Sequence, residues 1–357
     1  MINVTKTFLP PQEEYQTILK RAWDTGWMTN RGVLVKELEA KLKKYLGVPH
    51  LLTTTNGTLP LQIAIKALGL QGEIITTPFS YVATTSSIVW EGCTPVFVDI
   101  HPDYLTIDET QIEAAITPNT TAILATHVFG NPCHIEAIES IAKKYSLKVI
   151  YDGAHAFGVQ YKGQSIFNYG DVSTCSFHAT KLFHTGEGGI LTTDTSTLYQ
   201  ALFYHHNFGH KGKEDFQGVG INAKMSEPQA AMGLSVLPYV NDLIQNRKAI
   251  VNAYEELISP LNVKTLSLRP ETAWNYSYYP IILNTEVQLK TVSTILAEHQ
   301  IYPRRYFYPS LNTLDYVNYQ HCPISEKISR CILCLPLFHD LHLESVKKIV
   351  HLIKSVL

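Results

Sequence analysis

The chain has 357 residues, of which 45% are hydrophobic and 17% charged, with a formal net charge of −2. That balance is ordinary for a globular enzyme and offers no basic block to hold nucleic acid or an anionic membrane surface. The length exceeds one small core, so a large and a smaller domain are expected. Met1-Ile2-Asn3-Val4-Thr5 lacks the charged and apolar regions of a signal peptide. No apolar run has the length of a bilayer span. Six cysteines in so long a chain suggest reduced thiols, so the expected location is cytoplasmic.

In chain order, segment 58–68 has helical period, and short β-branched runs follow at 74–77, 96–99 and 122–128. Segment 134–145 is helical, with Ile135, Ile138, Ile141, Ala142 and Tyr145 on one face. Runs 147–151 and 172–177 complete the set of predicted strands. This alternation predicts an α/β fold with a largely parallel sheet and catalytic residues at the strand ends. Ser226-Glu227-Pro228-Gln229 reads as a helix start, with Ser226 as N-cap, Gln229 closing a capping box and Pro228 in the first turn. Pro238 should end or kink that helix. Beyond it come a long helix at 240–257, Tyr-rich strands near 276–283, and an amphipathic C-terminal helix with Val346, Ile349, Val350, Ile353 and Val356 on one face. The expected division is 1–239, a large α/β domain, and 240–357, a smaller α+β domain.

Three motifs invite readings that their surroundings disfavour. Cys331-Ile332-Leu333-Cys334 spells C-x-x-C, but its apolar neighbours suit a buried strand better than zinc or redox chemistry. Gly218-Val219-Gly220-Ile221-Asn222-Ala223 matches a loose dinucleotide fingerprint without a preceding strand. His205-His206-Asn207-Phe208-Gly209-His210 lacks carboxylate or cysteine partners at ligand spacing, so no metal is expected and a mobile loop near the substrate entrance is.

The chemistry concentrates elsewhere. Thr53-Thr54-Thr55-Asn56-Gly57-Thr58 precedes a helix; Gly57 permits close approach of an anion, and Thr58 can cap the helix and donate its hydroxyl. Asp152 ends the apolar run Val149-Ile150-Tyr151. Lys181 follows Ser176-Phe177-His178-Ala179-Thr180 and runs into Gly186-Glu187-Gly188-Gly189. Burial of such a lysine lowers its pKa, as imine chemistry requires. A lysine and an aspartate so placed are the two charges that pyridoxal 5'-phosphate (PLP) demands: one forms the Schiff base, the other keeps the pyridine nitrogen protonated.

These motifs together resemble the DegT/DnrJ/EryC1/StrS sugar aminotransferases, of the three-layer αβα PLP-dependent transferase (aspartate aminotransferase, type I) fold. The resemblance rests on Trp27-Met28-Thr29-Asn30-Arg31-Gly32, Asn56-Gly57-Thr58, Thr77 through Thr84, Thr94 through Asp99, Asp152-Gly153-Ala154-His155 and Ser176 through Gly189, and so covers nearly the whole chain. Gly153 departs from the family's usual alanine, which implies looser packing there. The resemblance implies that Lys181 is the Schiff-base lysine and general base, and that Asp152 pairs with the ring nitrogen. It puts His155 near the phenolic oxygen and Tyr81 on the ring face. It assigns Gly57, Thr58 and Ser176 to the phosphate, and Asn222 to the phosphate in the neighbouring subunit of a homodimer with composite sites. Substrate contacts would come from Asn30, Arg31, His184 and Tyr308. Retention of the lysine, where related sugar dehydratases carry histidine, favours transamination over a lyase reaction. The implied reaction moves an amino group from L-glutamate, through the pyridoxamine 5'-phosphate form, to the C4 keto group of a nucleotide-linked 4-keto-6-deoxyhexose. That sugar would be carried on dTDP, with UDP- and GDP-linked sugars as alternatives.

Overall fold

The computed structural model describes residues 1–261 and 263–357. Its centre is a seven-stranded sheet in the order His50–Thr54, Gly189–Thr193, Val172–Ser176, Lys148–Asp152, Thr120–Thr126, Glu73–Thr76, Thr94–Phe97. Gly189–Thr193 runs antiparallel to both its neighbours, and the other pairings are parallel. The five strands predicted before residue 180 are present with bounds shifted by one or two residues, and the two helices predicted among them are Leu59–Ala67 and Ile135–Tyr145. His50–Thr54 and Gly189–Thr193 were not anticipated as strands. Both are almost wholly buried, so neither shows the polar–apolar alternation of a half-exposed strand.

The layers follow from period two. Ile75, Ile123, Ala125, Val149, Tyr151 and Ile190 point into one core, beneath helices Val33–Leu46 and Glu227–Val236. Their neighbours Ile74, Ala122, Leu124, Ile150 and Leu191 point into another, beneath Leu59–Ala67 and Ser196–His206. The result is a helix–sheet–helix sandwich, the three-layer αβα architecture expected.

A second unit is built on a three-stranded antiparallel sheet, Lys264–Thr265, Tyr279–Ile282 and Ile332–Leu335. Helices Glu286–Glu298 and Leu343–Lys354 pack on it, and Val346, Ile349, Val350 and Ile353 enter its core as the amphipathic pattern predicted. Helix Val240–Ile258 bridges the two units: Val240 and Leu243 sit in the first core, Ile250, Val251, Tyr254 and Ile258 in the second. Ile2–Asn3 also joins the second unit, pairing in parallel with Ile301–Tyr302. Asp99 ties the units together, accepting from the backbone N–H groups of Ile324 and Ser325, both at 2.8 Å, at the start of helix Pro323–Cys331. Strand Thr94–Phe97 is an edge, and the Gln320 side chain covers it by pairing with Phe97 N and Pro95 O like a further strand.

The Ser226–Gln229 capping box is present, and Pro238 lies in the single 3-10 turn Leu237–Tyr239 that joins two helices. Glu227, beside that cap, is fully buried and accepts from Leu34 N at 2.7 Å and Val35 N at 3.1 Å. It thereby caps helix Val33–Leu46, whose own N-cap, Gly32, has no side chain to do so. A Cβ on Gly32 would lie 2.7 Å from the Glu227 carboxyl carbon, so the glycine is needed for this long-range cap. Cys331 ends a helix and Cys334 lies in strand Ile332–Leu335; all six cysteines are buried and unbridged. Among the described residues no helix is long and apolar enough to cross a membrane.

Candidate active site

Parallel pairing brings the carboxyl ends of Glu73–Thr76, Thr120–Thr126, Lys148–Asp152 and Val172–Ser176 to one edge of the sheet. Asp152 and Ser176 are the last residues of their strands, and Lys181 follows in an irregular loop closed by Lys181 N–H donating to His178 O at 2.8 Å.

Asp152 is buried at 5% exposure. Its Oδ1 accepts from Ala154 N at 3.0 Å and its Oδ2 from Thr84 Oγ1 at 2.8 Å. Burial raises its pKa, while the Thr84 and Ala154 hydrogen bonds and the charge of Lys181 work the other way. Lys181 keeps some surface toward the cleft, yet enclosure lowers its pKa, a shift opposed by Tyr306 and Asp152. Its Nζ lies 5.8 Å from the centroid of the Tyr278 ring. The amine is thus moved toward its neutral, nucleophilic and basic form.

His155 accepts from Phe129 N at 3.2 Å through Nδ1, which leaves the proton on Nε2. Burial and Lys181 hold it well below the usual histidine range, so it is neutral. Its ring stacks on Phe307 at 5.5 Å and 5°, and Asn275 fixes its backbone by donating to His155 O at 2.8 Å.

Gly57 lies against Ser176. A Cβ on Gly57 would sit 2.5 Å from Ser176 Cβ and 2.9 Å from its Cα, a cradle that only glycine leaves open. The expected cap at Thr58 is corrected: Asn56 Oδ1 accepts from both Thr58 N at 3.0 Å and Leu59 N at 2.9 Å, and the Thr58 side chain makes no cap bond. Those two N–H groups are therefore occupied, and what Thr58 leaves available is its hydroxyl. Tyr81, 61% exposed at the start of helix Val82–Trp90, stands open to the cleft.

Other expected residues lie elsewhere. His184 is buried, with Nε2 2.6 Å from Phe8 O and Nδ1 accepting from Gly186 N at 3.2 Å; both nitrogens are spent on holding the N-terminal segment over the lysine loop. Arg31 is engaged by Glu39 through Nε at 3.1 Å and Nη2 at 2.5 Å, and Glu39 is itself fixed by Thr53 N and Oγ1. Asn30 and Arg31 both have positive φ, 59° and 53°, which turns the guanidinium away toward that carboxylate. Tyr308 is exposed, with the Arg305 guanidinium 3.6 Å over its ring.

Asn222 is exposed on a loop that folds back on residues 204–210, and accepts from Lys224 Nζ at 2.7 Å. The second glycine of the false fingerprint serves that fold-back: a Cβ on Gly220 would lie 2.3 Å from Gly209 N. Of the two adjacent histidines only the first acts likewise, the second bonding within its own helix. His205 Nδ1 is 2.6 Å from Val219 O, and buried His206, lowered to about 4 by desolvation, is 2.6 Å from Phe203 O.

Sequence reasoning missed Thr84 as the partner of Asp152, and missed the wall of Tyr278, Tyr306 and Phe307 contributed by the second unit. The aromatic density of 274–308 was the available signal, though nothing in the spacing says which ring faces Lys181. A groove of about 750 Å³ between Lys44, Gln164, Lys248 and Trp274 contains none of Asp152, His155 or Lys181. Perturbed charges converge at the strand ends, and that is where chemistry is supported.

The arrangement suits PLP: a buried carboxylate, a lysine with lowered pKa, a neutral histidine and a side-chain-free cradle beside a serine and a threonine hydroxyl. The model of the DegT/DnrJ/EryC1/StrS aminotransferase family matches residues 11–354. The chain is 39% identical over 362 residues to a dTDP-4-amino-4,6-dideoxy-D-glucose transaminase of Shigella dysenteriae, covering 99% of each. It is 32% identical to a GDP-perosamine synthase of Escherichia coli O157:H7 over 90% of each. The crystal structure of DesI with its TDP-sugar product superposes with a TM-score of 0.94 at 31% identity, over 99% of this chain and 92% of that one. A chain with this fold and this set of charges, matched from residue 11 to residue 354, belongs to the DegT/DnrJ/EryC1/StrS family of PLP-dependent aminotransferases.

Proposed function

We propose that the enzyme transfers the amino group of L-glutamate to the C4 keto group of dTDP-4-keto-6-deoxyglucose, giving dTDP-4-amino-4,6-dideoxyglucose and 2-oxoglutarate. The observation that carries the choice of sugar is the end-to-end likeness to the Shigella transaminase, 39% identical against 32% for the GDP-perosamine synthase. The TDP-sugar product of DesI supports the same nucleotide.

PLP, when bound, supplies an electron sink that takes up and hands on an amino group. The chain's own residues do the rest. Asp152 places a buried negative charge against the ring nitrogen and keeps it protonated. Lys181 would hold the cofactor as an imine and, when free as the neutral amine, would serve as the general base that carries the proton of the transfer. His155 would offer its Nε2 proton to the ring's oxygen substituent, and Tyr81 would cover one ring face. Gly57 admits the phosphate, and the Thr58 and Ser176 hydroxyls donate to it. Asn222, beside Lys224 and among the exposed Phe208, Phe216, Val219 and Ile221, reaches the partner's phosphate across a homodimer interface that buries those side chains. Asn30 and Tyr308 remain the contacts proposed for the sugar nucleotide.

The test uses holoenzyme incubated with L-glutamate until the visible cofactor band is lost, then with dTDP-, GDP- and UDP-linked keto sugars in turn. Return of the band with the dTDP sugar at the highest kcat/KM supports the proposal. Preference for a GDP or UDP sugar overturns the nucleotide, and a band that glutamate leaves unchanged overturns the donor.

A further inference from the structure

Asp152 does not stand alone at the sheet edge. Thr84 Oγ1 is 2.8 Å from its Oδ2, Ser80 Oγ is 2.7 Å from Thr84 Oγ1, and Thr126 Oγ1 is 3.1 Å from Ser80 Oγ. The three hydroxyls come from three places: the loop after strand Glu73–Thr76, the first turns of helix Val82–Trp90, and the last residue of strand Thr120–Thr126, where Thr126 is the register partner of Asp152 itself. All are at most 3% exposed, so water does not interrupt them.

We infer that Thr126, Ser80 and Thr84 form a one-way hydroxyl chain that holds Asp152 as an oriented anion, with Thr84 as a positioning residue for the reaction. The inference rests on reading Asp152 as the partner of the ring nitrogen. Its direction follows from proton counting. An ionised carboxylate only accepts, and each hydroxyl has a single proton. Thr84 therefore spends its proton on Asp152, Ser80 spends its own on Thr84, and Thr126 spends its own on Ser80. Every donor points toward the carboxylate. Ala154 N–H holds the other oxygen, so two donors fix the carboxylate plane and leave lone pairs for a third donor from the cofactor.

A proton on Oδ2 directed at Thr84 would reverse the whole chain, and one placed elsewhere on the carboxyl would weaken the Thr84 bond by removing its charge. In the reversed chain Ser80 would donate to Thr126, whose displaced proton has no other acceptor among the described residues. A buried hydroxyl left unmatched is costly, so the chain opposes protonation while burial favours it. The charged and titratable groups facing Asp152 act alongside. Lys181 favours the anion. The Cys133 and Cys175 thiols, both pushed up by burial, stay neutral. His127, whose backbone N–H donates to Asp152 O, and His155 are both neutral as well.

The test is the pH dependence of PLP affinity, measured by equilibrium dialysis of the full-length protein, which reads the charge of Asp152 without turnover. Affinity should fall on the acid side as Asp152 takes up a proton. Thr84→Val keeps the shape and removes the proton, and should move that acid limb up by about one pH unit, about tenfold in affinity at a pH on the limb. Thr84→Ser should restore it. Ser80→Ala should move it in the same direction by less, and serves if Thr84→Val fails to fold. Variants that lose affinity equally at every pH, with the limb unmoved, would make the chain a packing feature and overturn the inference alone. Wild-type protein that took up no PLP would overturn the site assignment and this inference with it.

Discussion

Gly57→Ala tests the phosphate cradle most sharply. The added methyl would sit 2.5 Å from Ser176 Cβ, 2.6 Å from its Oγ and 2.9 Å from its Cα, where ordinary contact begins at 3.4 Å. The two segments must therefore separate by 0.9 Å, the difference between 3.4 and 2.5 Å. Rotating Ser176 cannot relieve the clash, because its Cβ and Cα take part. Ser176 cannot retreat either, being paired with Gly189 in the sheet. The turn at 56–58 has to give, although Asn56 pins it through two backbone N–H groups and Thr54 Oγ1 holds Asn56 O at 2.8 Å. Overpacking of this kind costs about 1–3 kcal/mol. Expressed wholly on the cofactor loop, that weakens PLP binding by about 5- to 150-fold at 1.4 kcal/mol per decade. The assay is titration of cofactor-free protein with PLP, with urea unfolding of the same sample to find any share taken from stability. Gly57→Ala/Ser176→Gly removes the Cβ and Oγ contacts and should recover part of any loss of stability, though not of affinity, since it also deletes a hydroxyl assigned to the phosphate. Affinity and stability both within about twofold of wild type would refute the close approach, since even the lower bound of the overpacking cost exceeds that.

Further outcomes follow from the same geometry. Glu227→Ala leaves Leu34 N and Val35 N without their acceptor and should destabilise the fold by about 2–4 kcal/mol in urea titration. Glu227→Gln, which keeps one acceptor oxygen, should cost less, and equal costs would contradict the cap. The cofactor-free protein should lose stability on mild acidification. His127 is lowered to about 3 and His206 to about 4 by desolvation, and His155 lies well below its ordinary 6.5. The unfolded chain therefore takes up protons below pH 6.5 that the native state refuses. Each such histidine removes about 1.4 kcal/mol per pH unit as pH falls from there, with the raised Asp152 offsetting part of it near its own titration. Unfolding midpoints that stay flat from pH 7.5 to 5.5 would contradict the burial of these rings. Asp152→Asn should leave a folded protein that retains PLP weakly and is slowed in both half-reactions, because the amide keeps the shape and loses the charge; a slowed sugar half-reaction alone would contradict its assigned role.

What could be read from the chain beforehand was what depends on local pattern. The strands ending at Asp152 and Ser176 declare themselves by β-branched runs, helix Glu227–Val236 by its capping box, and the last helix by one apolar stripe. Family likeness then proposed Gly57, Asp152, His155, Ser176 and Lys181 as one site, and in the fold Asp152 and Ser176 end adjacent strands with Gly57 packed on Ser176. What stayed hidden depends on partners distant in sequence. Thr84 meets Asp152 across 68 residues, and His184 meets Phe8 across 176, so neither a side-chain donor to the aspartate nor a structural histidine could be foreseen. The pairing of Arg31 was hidden for a local reason: two consecutive left-handed residues lead its guanidinium to Glu39. At Thr58 the hydroxyl was expected to cap, but Pro60 has no N–H to offer it and Leu61 N donates to Thr58 O instead, while Asn56 takes the N–H groups of Thr58 and Leu59.

The central claim is that nitrogen moves from glutamate to C4 of a dTDP-linked sugar at the site formed by Lys181 and Asp152. Its most direct test is to supply heavy-nitrogen L-glutamate and dTDP-4-keto-6-deoxyglucose to wild-type holoenzyme and to Lys181→Ala, and to follow the label by mass spectrometry. The account predicts labelled dTDP-4-amino-4,6-dideoxyglucose in step with 2-oxoglutarate from the wild type and none from the variant. An unlabelled or dehydrated sugar, or labelled product from Lys181→Ala, would contradict it.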